Sequence, residues 1–372
     1  MAVSKVGPTG LTSAVGQLGK NVVENGAMQI DQRSGDTRTG KGANADYLCD
    51  RWKFITRSSA PCRFTYSVEA SGGVNGVSYW SKFLVTTADT TIASGDASSM
   101  AHPIVGHDAQ ALIGSNGKFG GGVLSADVFF TKGGGSSLSF PIKACMGIKT
   151  LDGTARQFHE DVTITTESTW QRVSIYIPAD GTAQIDNNAA EAARLHFGFM
   201  SNQKATDATW ENNDIDHYTT SSTDNLVDAT DNVFGITNIQ FEPGGVATDF
   251  EHEPVSVTLA KCLRYFWRWK IQDANSQLFA APTMNSTTNA FFGPVNMPVE
   301  MRAAPTGSIS DVGHVVVADG GNGNRAVSNV AFHPNKNAAT IHFTVASGTL
   351  GGAYAYRDGP ADALFFDFTA EL

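Results

Sequence analysis

The side chains most capable of chemistry gather between residues 207 and 218. This short stretch combines acidic, indole and imidazole groups, namely Asp207, Trp210, Glu211, Asp214, Asp216 and His217. Carboxylates beside an aromatic ring are typical of a sugar contact or a Ca²⁺ site, and a solvated loop is the plain alternative. Indole and phenol rings also offer flat apolar faces to a sugar. The sequence therefore nominates five glycan-binding candidates: Trp210, Tyr218, Trp80, Asp214 and Asp216.

Motifs of known catalytic chemistry are missing. Residues 35–42 nearly form a phosphate-binding P-loop, but Gly42 stands where Ser or Thr would hold Mg²⁺. No GxSxG elbow occurs, and the nine His residues show no HExxH pattern. A carboxylate pair for glycoside hydrolysis is set by geometry and not by spacing. We predict no enzyme, no cofactor and no metal site. A polysaccharide depolymerase is the less favoured alternative, because no β-helix repeat is visible.

The composition favours short β-strands joined by many turns. Of 372 residues, 41% are hydrophobic, only 17% are charged and 38 are glycine, which disfavours a helical bundle. A formal net charge of −10 without a Lys/Arg cluster argues against nucleic-acid binding. No export signal and no apolar run suited to a membrane-spanning helix is visible. The four scattered cysteines are predicted to be reduced and mostly buried, as in a protein that folds in a cytoplasm, and a Cys49–Cys62 bridge is the alternative.

Alternation of polar and apolar residues predicts about nine short strands before residue 242. The fold class predicted is mainly β: a jelly-roll β-sandwich, a short linker helix and a second, smaller β-domain. Trp52 and Trp170 are predicted core residues, and so is at least one of Tyr79 and Trp80. Residues 201–231 interrupt the strand rhythm and are predicted to form a long loop at one end of the sandwich.

Four segments are predicted along the chain: an N-terminal attachment arm (1–45), the jelly roll (46–245), a linker with an aromatic helix (246–270) and a C-terminal β-domain (271–372). The helix is predicted over Val257–Lys270, with Ser256 as its N-cap. Apolar side chains cover most of its circumference, so its own domain or symmetry mates must cover it. The subunit-interface candidates are therefore Arg264, Tyr265, Phe266, Trp267 and Trp269.

Several segments resemble bacteriophage tail-fibre-type proteins, and together they span most of the chain. The segment 21–33 (NVVENGAMQIDQR) and the segment 47–52 (YLCDRW) resemble the opening of these proteins. The segment 170–173 (WQRV) resembles a strand of carbohydrate-binding-module-like jelly rolls. Residues 239–254 (IQFEPGGVATDFEHEP) and 259–266 (LAKCLRYF) are similar to the junction between domains, and residues 297–306 (MPVEMRAAPT) to an element that opens the C-terminal β-domain.

This resemblance implies a virion protein that decorates a tail or head, is often trimeric and contacts host glycans. No catalytic residues carry over with it. The arm would dock onto other virion proteins, and the place of the protein would be the virion, assembled in the host cytoplasm. The sequence contains no coiled coil or shaft, which favours a short surface appendage over a long tail fibre. A head decoration or an adaptor with a purely structural role is the alternative.

Overall fold

The structure, a computed structural model, describes residues 20–34, 46–57, 62–212, 217–271, 283–319, 323–357 and 364–372. The chain divides into two compact units, of which the first ends at Val255 and the second covers Ser256–Glu371. The strands of the first unit are β1 (Asp46–Tyr47), β2 (Lys53–Arg57), β3 (Arg63–Glu69), β4 (Trp80–Thr87), β5 (Ala97–Val105), β6 (Gly122–Thr131), β7 (Ile142–Thr150), β8 (Arg156–Ile164), β9 (Gln171–Ile177), β10 (Glu191–Ser201), β11 (Lys204–Ala205), β12 (Thr209–Asn212), β13 (Thr219–Thr220) and β14 (Val233–Glu242).

Two sheets form a sandwich in the first unit. The seven-stranded sheet has the order β1-β2-β5-β10-β7-β8-β12, and the five-stranded sheet has the order β3-β4-β14-β6-β9. Their inner faces share one apolar core, in which the rings of Phe83 and Phe199 approach to 4.9 Å from opposite sheets. Sheets packed in this way exclude water from both inner faces. The predicted jelly-roll β-sandwich is confirmed.

Strand alternation explains which side chains of β9 face the core. Val173, Ile175 and Ile177 are buried, and the intervening residues point outward. Trp170 has the parity of the outward residues, so the prediction that it belongs to the core is wrong. Trp52, in contrast, is fully buried, as predicted.

The segment 20–34 packs into the first unit, although the sequence places it in the arm. Its backbone pairs with β14 through Val22 N to Phe241 O at 3.0 Å and Ile239 N to Gly26 O at 3.0 Å. The indole of Trp52 donates to the carbonyl of Asn25 at 3.1 Å, and the Asn25 amide donates to the backbone oxygen of Asp50 at 3.0 Å. The two N-terminal segments that resemble phage proteins therefore interlock as one structural network.

Residues 201–231 do not form a single loop at one end of the sandwich, so that prediction is wrong. The strand β12 extends the edge of the seven-stranded sheet beside β8, and β13 pairs with β11. The carbonyl of Tyr218 lies over Gly198 of β10 so closely that a Cβ there would stand 1.8 Å from it. The chain therefore crosses the outer face of this sheet. Residues 213–216 lie outside the described residues.

The second unit is a β-domain entered through one helix. Its elements are α1 (Val255–Leu263), β15 (Phe266–Ile271), β16 (Thr283–Ser286), β17 (Asn289–Asn296), β18 (Thr306–Ile309), β19 (Val315–Asp319), β20 (Asn324–Pro334), β21 (Ala338–Val345), β22 (Gly351–Arg357) and β23 (Leu364–Thr369). Six of these strands close a barrel in the order β16-β17-β21-β20-β19-β22, and β15-β23-β18 form a three-stranded sheet. The short helix and the smaller β-domain are confirmed, but the predicted extension of the helix to Lys270 is wrong.

The aromatic run after α1 is a strand because its alternate side chains pair with those of β23. Trp267 and Trp269 lie opposite Phe368 and Phe366 and pack against the apolar core of the second unit. Tyr265 and Phe266 are buried, and Arg264 is half-buried. The apolar surface that the sequence analysis attributed to a helix is thus largely buried within this unit. A role of these five residues between subunits stays a prediction.

Two expectations from composition can be compared with the structure. All four cysteines are buried and reduced, as predicted, and burial raises the pKa of the Cys62 thiol to about 11. Within the described residues, no helix is both long and apolar enough to cross a membrane.

Candidate functional site

A cavity of about 560 Å³ opens on the outer face of the five-stranded sheet. Its floor contains Asp127 of β6 and Arg172 of β9, which stand directly opposite each other in the antiparallel register. The volume lies within the range of about 300–1,000 Å³ that is typical of small-molecule sites. We call this cavity the β6–β9 pocket; its lining residues are Asn75, Asp127, Arg172, Ala247, Thr248, Asp249, Phe250 and His252.

The carboxylate of Asp127 is the buried centre of the floor. Its Oδ2 accepts hydrogen bonds from Asn238 Nδ2 at 2.7 Å and Asn75 Nδ2 at 3.2 Å. Its Oδ1 is buried and has no hydrogen-bond donor among the described residues. Asp127 is only 1% exposed, so this oxygen retains an unused acceptor capacity where water has little access.

Arg172 supplies the positive charge of the pocket. Its Nη1 donates to the carbonyl of Asn238 at 2.6 Å, and its Nη2 donates to Ser125 Oγ at 2.7 Å. Nη1 also lies 3.8 Å from Asp127 Oδ2. Burial lowers the pKa of Arg172, against the opposing influence of Asp127, but a guanidinium keeps its proton in proteins. The two charges are therefore held in fixed positions by the sheet.

The first wall of the pocket is the segment 247–252, which polar residues of β14 hold in place. Glu242 accepts from the Thr248 backbone N at 2.8 Å, and Gln240 Oε1 accepts from the Glu251 backbone N at 2.8 Å. Burial alone would raise the pKa of Glu242, but hydrogen bonds from Thr248 and Gln240 and the charge of Lys20 together lower it. These contacts give a structural role to the phage-like segment 239–254.

The second wall is the turn 71–77, and two indoles anchor it. Trp80 Nε1 donates to the Ser71 carbonyl at 2.8 Å, and Trp170 Nε1 donates to the Gly72 carbonyl at 2.9 Å. Both indoles pack edge to face against Phe129 on the outer face of the sheet. The turn then delivers Asn75 to Asp127. Trp80 thus positions the pocket wall, and neither Trp80 nor Tyr79 is a core residue, contrary to the prediction.

An aromatic pair flanks the polar floor. The rings of Phe250 and His252 pack edge to face, with 5.3 Å between their centroids. Phe250 is half-buried and His252 is exposed. Apolar ring surface next to hydrogen-bonding groups can bind a molecule that has both kinds of surface.

The acidic and aromatic cluster of residues 207–218 is only partly assembled. Trp210 donates from its indole nitrogen to the Pro178 carbonyl at 2.9 Å, and its ring packs against Phe119 and Phe158 at the edge of the core. Glu211 Oε2 and His217 Nδ1 approach to 3.3 Å. Asp214 and Asp216 lie outside the described residues. Trp210 is therefore half-buried, and its ring is packed against protein rings at the edge of the core.

Tyr218 is buried on the outer face of the seven-stranded sheet. Its ring lies 4.8 Å from that of His196, and Arg57 Nε donates to its hydroxyl at 3.4 Å. Both ring nitrogens of the neighbouring His159 are buried without a hydrogen-bond partner among the described residues. Burial lowers the pKa of His159 to about 3, so this side chain is neutral at pH 7. Tyr218 thus covers a neutral polar layer.

Sequence reasoning missed the floor of the β6–β9 pocket. Asp127 and Arg172 each stand alone in strand patterns, and only the register of β6 with β9 brings them together. The useful signals were the WQRV and ATDFEHEP segments, which contain Arg172 and most of the first wall. No cluster of three or more His, Cys, Asp or Glu side chains suited to a metal occurs in the described parts of the chain.

No family model and no curated protein sequence matches the chain. Among solved structures, the chain is similar to the enzymatically active domain of tailspike protein 4 of bacteriophage CBA120, with 11% identity, a TM-score of 0.30 and coverage of 60% of this chain and 21% of that one. It is also similar to a family 11 carbohydrate-binding module from Clostridium thermocellum, solved with a β-1,3-1,4-mixed-linked tetrasaccharide, with 10% identity, a TM-score of 0.28 and coverage of 57% and 100%.

A third similar structure is the tandem CBM22-1–CBM22-2 domain of Paenibacillus barcinonensis Xyn10C, with 11% identity, a TM-score of 0.26 and coverage of 89% and 100%. The chain thus spans about a fifth of the tailspike domain and the full length of the two binding-module structures. At these TM-scores the likeness amounts to a partial superposition of β-strands.

Proposed function

We propose that this chain is a non-enzymatic structural protein of a bacteriophage particle, a tail fibre or surface appendage, that contacts host glycans through the β6–β9 pocket. The observation that carries the glycan contact is the meeting of a carboxylate, a guanidinium and an amide beside a half-buried aromatic ring. Sugar hydroxyls both donate and accept hydrogen bonds, and sugar C–H faces are apolar. A floor with both hydrogen-bonding senses and an adjacent ring is complementary to that chemistry.

The particle role is supported by the phage-like segments, of which the first two interlock around Trp52 and another forms a pocket wall. On this proposal the arm docks onto other virion proteins, the virion is the place of the protein, and three copies assemble through residues of the second unit. Sedimentation equilibrium at micromolar concentration should report a trimer. A monomer at that concentration would count against the assembly.

Asp127→Asn should weaken glycan binding about tenfold or more, because charged hydrogen bonds contribute about 1.5–3 kcal/mol. The full chain is screened on an array of bacterial surface glycans, and the best ligand is titrated by calorimetry. Glu300→Gln, which neutralises an exposed carboxylate of the second unit, is the matched control and should leave the affinity unchanged. Equal affinity of the Asp127→Asn variant and the control would remove the pocket from the proposal.

The same ligand distinguishes display from hydrolysis. After prolonged incubation with the protein, the bound polysaccharide should release no reducing sugar, since we propose a non-enzymatic protein. Release of reducing ends that tracks the protein would replace the proposal with a depolymerase. Intact particles that carry the protein but show no glycan binding on the array would favour a purely structural decoration or adaptor.

A further inference from the structure

At the floor of the β6–β9 pocket, the buried polar atoms that lack a hydrogen-bond partner among the described residues are acceptors. Asp127 Oδ1, on a lining residue, and Asn238 Oδ1, on the residue whose amide donates to Asp127, are both buried acceptors without a donor among the described residues. The Asn238 amide cannot relieve this, because its Nδ2 already donates to Asp127 Oδ2 at 2.7 Å and to the Val74 carbonyl at 3.2 Å. A buried acceptor without a donor raises the free energy of the folded state. A ligand group that donates a hydrogen bond there regains this free energy.

The one cation of the pocket lining is already balanced. The guanidinium of Arg172 lies 3.8 Å from Asp127 and donates to two protein oxygens. Asp249 adds a second carboxylate at the rim, where it is exposed. Two carboxylates against one guanidinium leave a formal negative charge in the lining. An anionic ligand would meet this charge where the dielectric is lower than in water, so the repulsion is only partly screened.

We propose that the β6–β9 pocket is specific for neutral sugars and discriminates against their acidic counterparts. This inference rests on the proposed glycan contact and adds its substrate class. In the bound unit, adjacent hydroxyl groups donate to Asp127 and accept from Arg172, and the apolar face of the ring packs on Phe250. A carboxylate, phosphate or sulfate at the same position offers only acceptors and places negative charge against Asp127 and Asp249.

The test compares matched pairs of oligosaccharides that differ only in the acidic group: oligogalactose with oligogalacturonate, and oligomannose with oligomannuronate. Calorimetry with the full chain should show neutral members binding about tenfold more tightly than acidic ones, as expected for one buried acceptor satisfied or left unpaired. Raising the salt concentration should narrow this ratio by screening the repulsion, with little change for the neutral member.

Two variants test the residues. Asp127→Asn should weaken neutral binding and reduce the neutral-to-acidic ratio. Asp249→Asn removes the exposed carboxylate at the rim and should reduce the ratio by tightening the binding of the acidic members. Thermal unfolding of each variant verifies the fold. Equal or tighter binding of acidic members overturns the specificity but leaves glycan binding in place. Failure to bind any glycan on the array or in these pairs removes the proposed function and the specificity together.

Discussion

Replacing Arg51 with methionine should lower the free energy of unfolding by about 3–5 kcal/mol, the usual cost of breaking a buried ion pair. The Arg51 side chain is fully buried, with Nε 3.1 Å from Glu24 Oε2. Its Nη2 also donates to the Pro103 carbonyl at 2.8 Å. Methionine keeps most of the apolar stem but leaves Glu24, which is 7% exposed, without its guanidinium partner.

Equilibrium unfolding in guanidinium chloride measures this loss. The Arg51→Met, Glu24→Gln double variant should be more stable than Arg51→Met alone, because it no longer buries a carboxylate that has lost its guanidinium partner. Lys336→Met, at an exposed position of the second unit, is the control and should change stability by about 0.5 kcal/mol or less. A loss below about 1 kcal/mol for Arg51→Met, or no recovery in the double variant, would contradict the stated role of the pair.

Mild acid should destabilise the first unit before its carboxylates titrate. Burial lowers the pKa of His159 to about 3, and lowers the pKa values of His102 and His196 well below the ordinary value of 6.5. Below pH 6.5 the unfolded chain binds protons that the folded chain does not, so stability is complete above this pH and falls as the pH decreases. For His159 the loss continues down to about pH 3.

The expected size follows from about 1.4 kcal/mol per pH unit for each histidine. Between pH 7.5 and pH 5.5, His159 alone should remove about 1.4 kcal/mol from the free energy of unfolding, and His102 and His196 should increase this loss. The neighbouring cations shift these pKa values in the same direction as burial does. Arg51 and Lys53 further lower the pKa of His102, and Arg194 and Lys149 further lower the pKa of His196. Proximity of His102 Nε2 to Glu24 Oε2, at 3.5 Å, does not overcome burial.

Denaturant titrations at the two pH values test this expectation. His159→Gln should remove about 1.4 kcal/mol of the pH dependence between these two values, whatever its effect at pH 7.5. His333→Gln, at an exposed position of the second unit, should leave the pH dependence unchanged. A free energy of unfolding that is the same at pH 7.5 and pH 5.5 would show that these rings accept protons in the folded state.

The sequence was sufficient for the fold class, because alternation within strands such as β9 reports burial directly. It was insufficient for the orientation of a single side chain and for the choice between helix and strand in a short apolar run. Trp170 has the parity of Arg172 and lies outside the core, whereas alternation argued from the sequence alone predicts a core residue. The run after Leu263 has apolar residues at both helical and strand spacing, and pairing with β23 selects the strand. Spacing along a chain carries no information on such pairing.

The pocket depends even more strongly on strand pairing, which the sequence does not report. Asp127 and Arg172 are far apart in sequence, and neither stands in a motif of known chemistry. Long-range register made them neighbours, whereas the acidic residues that are adjacent in sequence near Trp210 were only partly brought together. Local density of chemically capable residues was thus a poor guide to the site, and the segments noted for resemblance were a better one.

The pocket combines a floor and walls that differ in how freely they can change. The floor is a cross-strand pair between β6 and the edge strand β9, and Asp127 in this pair is buried, so substitutions of Asp127 disturb the packing around it. The walls are connecting segments, in which sequence changes are tolerated far better. On the proposed function, host range would therefore drift through residues 71–77 and 247–252, while the part of the preference for uncharged sugars that Asp127 provides stays fixed. Phages adapting to new bacterial strains should accumulate substitutions in these two segments first.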